Sequence, residues 1–179
     1  MKGLLALSRG IDKLNDKFAM LAIWAVLASC VISALNAVVR YAFNYSSNGF
    51  TEIQWYLFAA VVMLGASQVL RVNEHVRVDV LYGLYGGRGQ AIVDLLGFLF
   101  FLMCSMSVLL YYSWPLFVKM YVSGEMSSNA GGLIRWPVMF LLPLGFALII
   151  LQGLSEVIKR AAWLTHQYDG EFHYERPLQ

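Results

Sequence analysis

The chain has 179 residues, 59% of them hydrophobic and 13% charged, with a net charge of +2 and a mean hydropathy of +0.62. A soluble domain carries about 25% charged residues, so this composition excludes an ordinary soluble enzyme and points to an integral membrane protein. Cys30 and Cys104 stand apart in apolar runs; they supply neither a disulfide framework nor a metal-ligand spacing and read as two small buried hydrophobes.

Residues 1–17 set Leu4, Leu7, Ile11 and Leu14 against Lys2, Arg9, Asp12, Lys13, Asp16 and Lys17. The leucine and isoleucine spacing is that of one helix face, so the segment reads either as a short amphipathic helix at the membrane interface or as an irregular tail. Residues 18–39 then run without a charge until Arg40. That is enough to cross a hydrocarbon layer of about 30 Å. It is too long for the apolar part of a signal peptide, and no Ala-x-Ala-like site follows, so a retained helix is expected. Ala22, Ala25, Ser29, Ser33 and Asn36 recur along it at helical spacing. In lipid, small and hydroxyl side chains let helices approach closely and hydrogen-bond, so this stripe reads as a packing face.

A polar loop follows, and Thr51-Glu52-Ile53-Gln54 has the form of a capping box, placing the next helix start at Glu52. Asn44-Tyr45-Ser46 matches a glycosylation acceptor, a motif too short to carry weight. The second span is residues 53–70, with Trp55 and Tyr56 as an aromatic belt and Gly65 among its small packing positions. An abrupt charged segment interrupts the apolar pattern: Arg71, Glu74, His75, Arg77 and Asp79 fall within nine positions. The third span covers residues 92–115. Asp94 complements the helix N-terminus in its first turn, and Pro115 ends or bends the helix. A second polar loop holds Glu125, Ser127 and Asn129. The fourth span, residues 136–156, opens on Trp136-Pro137 and contains Pro143 (a kink), Gly145 and Gln152 (packing positions). Glu156, Lys159 and Arg160 mark its exit. Residues 166–179 form a polar tail without a folding signal.

Ten of the thirteen lysines and arginines fall in the N-terminal segment, the 71–88 loop and the tail. The positive-inside rule therefore puts both termini and that loop in the cytoplasm. The expectation is an all-α integral membrane protein: an N-terminal segment (1–17), a four-helix membrane domain (18–165) with N-in/C-in topology, and a cytoplasmic tail.

No Asp, Glu, Lys, Arg or His occupies the middle of a span, whereas proton-coupled pumps and transporters keep ionisable groups there. A haem bundle needs intramembrane histidines, yet His75, His166 and His173 lie outside the spans. No phosphate loop, nucleophile elbow or paired-carboxylate site is present. His75 and Asp79, four apart beside Glu74, share a helix face but lack a second cluster of ligands. They suit salt bridges to neighbouring cytoplasmic loops or headgroups better than a metal. The residues thus point to no catalysis, no cofactor, no metal and no nucleic acid, in a bilayer-embedded subunit. The rivals are a self-contained oligomeric transporter or channel and a membrane anchor of a redox complex.

Glu52, Leu64-Gly65-Ala66 and Asn73-Glu74-His75-Val76-Arg77-Val78-Asp79-Val80-Leu81-Tyr82 carry a resemblance, with Gly124-Glu125-Met126-Ser127, Asn129-Ala130-Gly131-Gly132-Leu133, Trp136-Pro137, Pro143-Leu144-Gly145-Phe146 and Leu151-Gln152-Gly153. Over residues 18–165 the chain resembles the DctQ-like small membrane subunit of tripartite ATP-independent periplasmic (TRAP) transporters. The resemblance implies a non-catalytic subunit of the bacterial inner membrane. Its partners would be a large sodium-coupled membrane subunit and a periplasmic binding protein that delivers an organic acid. The Asn-Ala-Gly-Gly-Leu and Trp-Pro elements resemble the branch handling oxo, lactate-like or sugar acids. On this reading Arg40, Glu52, Glu125, Ser127 and Asn129 are candidates for contact with a partner at the periplasmic face. Glu74, His75, Arg77 and Asp79 are assembly contacts on the cytoplasmic side.

Overall fold

The computed structural model describes residues 2–45, 47–73, 82 and 85–168. Four long helices account for nearly all of them: α1, Lys2–Phe43; α2, Asn48–Val72; α3, Gly87–Ser123; and α4, Trp136–Leu164. Each is long and apolar enough to cross a membrane.

Several element boundaries differ from the sequence reading. The N-terminal segment is neither a separate interfacial helix nor a tail, because α1 is one continuous helix of 42 residues, about 63 Å long. Charge ends an apolar run but does not end a helix: Lys, Arg and Leu are all good helix formers, and no Pro breaks residues 1–17. α2 starts at Asn48, one turn before the expected capping box. Ser47 takes the cap, its Oγ accepting the Gly49 N–H at 3.3 Å. Asn73, at φ 62°, closes the other end. α3 begins at Gly87, which puts Asp94 two turns inside the helix rather than at its N-terminus. The helix also continues through Pro115 to Ser123, where Gly124 turns at φ 61°. One π-helical stretch, Gly97–Leu102, interrupts its α geometry. α4 likewise runs through Pro143. A proline removes a single N–H, and neighbouring helices in a membrane protein compensate for that loss.

α4 is the central helix. A third of its most apolar window is buried inside the chain, against 6% for α1 and α3. It packs on all three others, while the main packing of α3 is on α4. Two glycines explain how closely α4 is approached. A Cβ on Gly145 would lie 2.8–2.9 Å from Met63 of α2, and one on Gly153 would lie 2.8 Å from Leu102 of α3. Ala22, Leu64 and Leu148 form the shared apolar centre of α1, α2 and α4, with Phe18, Ala60, Leu141 and Leu144 around it. Cys30 and Cys104 are not in this core; both face outward.

Candidate functional site

The polar chemistry is concentrated at the two ends of the bundle. At the end carrying the α1–α2 and α3–α4 loops, it is organised on Glu52, which starting α2 at Asn48 places one turn inside the helix. Glu52 is 3% exposed. Its Oε1 accepts from Ser127 Oγ and from Asn129 Nδ2 (2.7 Å), and its Oε2 accepts from the Leu133 N–H (2.7 Å). Those donors come from a loop with its own frame. Met126 and Ile134 form an antiparallel bridge, the Arg135 N–H donates to Glu125 O, and the Gly132 N–H donates to Asn129 O. Tyr56 Oη donates to Ile134 O at 3.1 Å, and Asn48 Nδ2 donates to Ala130 O at 3.3 Å. Arg135 and Glu125 pair at 2.7 Å on the half-exposed outer side. The whole loop is therefore clasped onto the first two turns of α2. Gly131, at φ 71°, makes the turn, and a Cβ on Gly132 would lie 2.6 Å from Ser127 Cβ.

Three residues expected to face a partner, Glu52, Ser127 and Asn129, are joined to one another, and both Glu52 oxygens are occupied. Glu125 is paired with Arg135. Arg40 lies exposed near the end of α1, 5.9 Å from the Tyr41 ring centroid. Met126, Ser128, Asn129, Ala130 and Gly131 are exposed at this end, with Glu125 and Arg135 half-exposed beside them.

At the opposite end a larger network ties α1, α3 and α4. Asn15 Nδ2 donates to Gln152 Oε1 at 2.6 Å, and Gln152 Nε2 donates to Asp12 Oδ1 (3.0 Å) and Glu156 Oε1 (3.1 Å). Ser155 Oγ lies 2.7 Å from Ser8 Oγ and donates to Asp12 Oδ1 at 2.9 Å. Lys159 bridges Asp12 (2.8 Å) and Glu156 (2.9 Å). Arg160 pairs with Glu156 and, at 3.1 Å, with Asp94, which also accepts from Tyr82 Oη. The guanidinium carbon of Arg160 sits 4.5 Å from the ring centroid of Phe98, a residue of the π-helical stretch, in a cation–π contact. Arg71 closes the end of α2 onto α1 by pairing with Asp16.

Of these groups the sequence reading singled out Gln152 as a packing residue but took Glu156, Lys159 and Arg160 for a helix exit and Asp94 for a dipole partner. A signal was present: Gln152, Ser155, Glu156, Lys159 and Arg160 recur at helical spacing and form one polar face. Nothing in the sequence pairs that face with Asp12. Glu74, His75, Arg77 and Asp79 lie outside the described residues, as do residues 169–179.

Between the two ends the helices present apolar grooves. One, between α1 and α2, is lined by small residues (Ala19, Ala22, Gly65, Ala66) and by Gln68. The Gln68 Oε1 is buried with no hydrogen-bond partner among the described residues. A Cβ added at Gly65 would lie 3.9 Å from Ala22 Cβ, an ordinary contact distance. The other groove, between α3 and α4, is walled by Tyr111, Tyr112, Trp114, Pro115 and Phe140. Of the α1 stripe, Ala22 and Ala25 are buried, Ser29 and Asn36 are half-buried and Ser33 is exposed. Among the described residues no three His, Cys, Asp or Glu side chains gather as metal ligands.

Comparison with known proteins gives a concordant result. The family model described as tripartite ATP-independent periplasmic transporters, DctQ component, matches residues 29–162. A Haemophilus influenzae protein named "Putative TRAP transporter small permease protein" is 33% identical over 91 residues. That match covers 51% of this chain and 56% of the relative, so the likeness spans about half the length of each. No solved structure matches.

Proposed function

The chain belongs to the DctQ component family of tripartite ATP-independent periplasmic transporters, and from that premise we propose that it is a non-catalytic scaffold in the bacterial inner membrane. It holds a larger sodium-coupled membrane subunit that takes up an organic acid delivered by a periplasmic binding protein. The observation that carries this reading is the distribution of polar groups. Glu52 at one end and Asp12, Asp94, Gln152, Glu156, Lys159 and Arg160 at the other are spent on holding the helices and one loop together, and the span middles hold no ionisable group that could bind or move an ion.

On this reading the N-terminal network faces the cytoplasm and the Glu52 clasp faces the periplasm. The α1–α2 groove seats a transmembrane helix of the large subunit. Its small residues allow close approach of another helix. The outward part of the α1 stripe, Ser29, Ser33 and Asn36, extends the same interface. The clasped loop offers the binding protein a fixed rim at Met126 and Ser128, and Arg40, exposed near the end of α1, is a further candidate contact. His75, Arg77 and Asp79 act as cytoplasmic assembly contacts.

The test is to co-express a tagged chain with the large membrane subunit and purify it through the tag. The wild type is expected to bring down the larger subunit. Gly65→Leu with Gln68→Leu is expected to lose it while remaining monodisperse, and His75→Ala or Asp79→Ala to weaken recovery. Solute movement by the pure chain in vesicles, or a wild type that recovers no larger membrane protein, overturns the scaffold reading.

A further inference from the structure

The N-terminal turns of α1 carry a feature that neither the helix contacts nor the scaffold role uses. Lys2, Arg9, Lys13 and Lys17 succeed one another at seven, four and four residues and so form one stripe along the helix. All four are exposed, and none takes part in an ion pair among the described residues. The direction of the stripe is fixed from the other side of the helix. Ser8 and Asn15 are fully buried, and with Asp12 they are bonded to Ser155, Gln152 and Lys159. Between the buried face and the basic stripe runs an apolar ridge, Leu4, Leu7 and Leu14, at 49%, 51% and 41% exposure.

The level of this segment follows from its partners. Arg71, in the last turn of α2, is paired with Asp16, so the first turns of α1 overhang α2 and contact α4. There Ser8, Asp12 and Asn15 are bonded to Gln152, Ser155 and Lys159, the stretch of α4 in which its uncharged run gives way to Glu156, Lys159 and Arg160. The end of an apolar run is where a membrane-spanning helix passes from hydrocarbon to headgroups. A helix with an apolar ridge beside a row of cations at this depth matches acyl chains on one flank and phosphates on the other.

We propose that the first four turns of α1 form a binding arm for anionic phospholipid headgroups. Arg9, Lys13 and Lys17, one turn apart, grip phosphates, and Leu4, Leu7 and Leu14 rest against the acyl chains. The inference is independent of the transporter reading, since it needs only the membrane and this helix.

The experiment uses the full chain in detergent, titrated with phosphatidylglycerol or phosphatidylcholine and followed by the lipids retained in native mass spectra. Three versions are compared. They are the wild type, a Lys2→Gln, Arg9→Gln, Lys13→Gln, Lys17→Gln variant, and a charge-keeping variant with arginine at the three lysines. The wild type and the arginine variant are expected to retain phosphatidylglycerol at about tenfold lower concentration than phosphatidylcholine. The glutamine variant is expected to lose that preference with its helix content by circular dichroism unchanged. Should the quadruple change disturb folding, Lys13→Gln with Lys17→Gln is expected to lose part of the preference. A preference that survives glutamine substitution overturns the proposal. So does displacement of the lipid by millimolar inorganic phosphate, which would make the stripe a site for soluble anions. If the glutamine variant keeps its lipid preference but no longer recovers the large subunit, the stripe is a protein contact and the proposal fails while the scaffold reading stands.

Discussion

The two polar ends of this bundle satisfy buried charge in different ways. At the loop end one carboxylate, Glu52, is enclosed by hydroxyl, amide and backbone donors from a single loop, and an ion pair there, Arg135 with Glu125, lies half-exposed. At the N-terminal end three carboxylates and two cations from three helices are interlocked around Gln152 and Arg160. The first arrangement orders a loop on a helix; the second fixes helices against each other. The lesson is that the same residue types shape a surface at one end and set the fold at the other.

That contrast gives a ranked set of outcomes. Arg160→Met should have the largest effect, because it strands Asp94 and Glu156 around a guanidinium only 4% exposed. Removing one partner of a buried pair costs about 3–5 kcal/mol, to be read from reversible unfolding in mixed micelles. An unchanged midpoint would break the comparison at its strongest point. Gln152→Leu should come next, at about 1–3 kcal/mol, since it removes the acceptor for Asn15 and the donor to Asp12 and Glu156.

Glu52→Gln tests the other end and should behave differently. The amide puts a donor where Oε1 or Oε2 now accepts, so the loop loosens while the bundle stays closed. Hydrogen exchange at the Ser127 and Leu133 amides should rise and trypsin should cut faster after Arg135, with the global midpoint moving less than for Arg160→Met. Global unfolding as large as that of Arg160→Met would mean that the two ends are not different in kind. The smallest effect is expected from Arg135→Gln, which breaks a half-exposed pair worth about 0–1 kcal/mol; a salt titration of the midpoint resolves it.

The sequence made the four crossings legible because lipid imposes a simple condition: about twenty apolar residues per helix, wherever those helices end up. It also made Gly145 and Gln152 recognisable as packing positions, since small and polar residues inside an apolar run have few other uses. Element ends were less legible. Hydropathy marks where lipid begins, but helix geometry persists beyond it, so α1 continues back to Lys2 and α3 on to Ser123. Glu52, Ser127 and Asn129 stand out in the sequence, but a motif shows which residues matter and not that Glu52 is buried beneath the loop while Asn129 stays exposed.

By itself, then, the sequence determined the membrane class, the number of crossings, the uncharged span interiors and the family. Only the tertiary structure decided that Asp12 meets Lys159 and Ser155 across more than 140 residues, that Asp94 binds Arg160 instead of a helix terminus, and that Glu52 is sealed under a loop. These pairings depend on the angle and rotation at which helices pack, and those are set jointly by close contacts such as Gly145 with Met63 and Gly153 with Leu102. No single helix carries that information in its own periodicity.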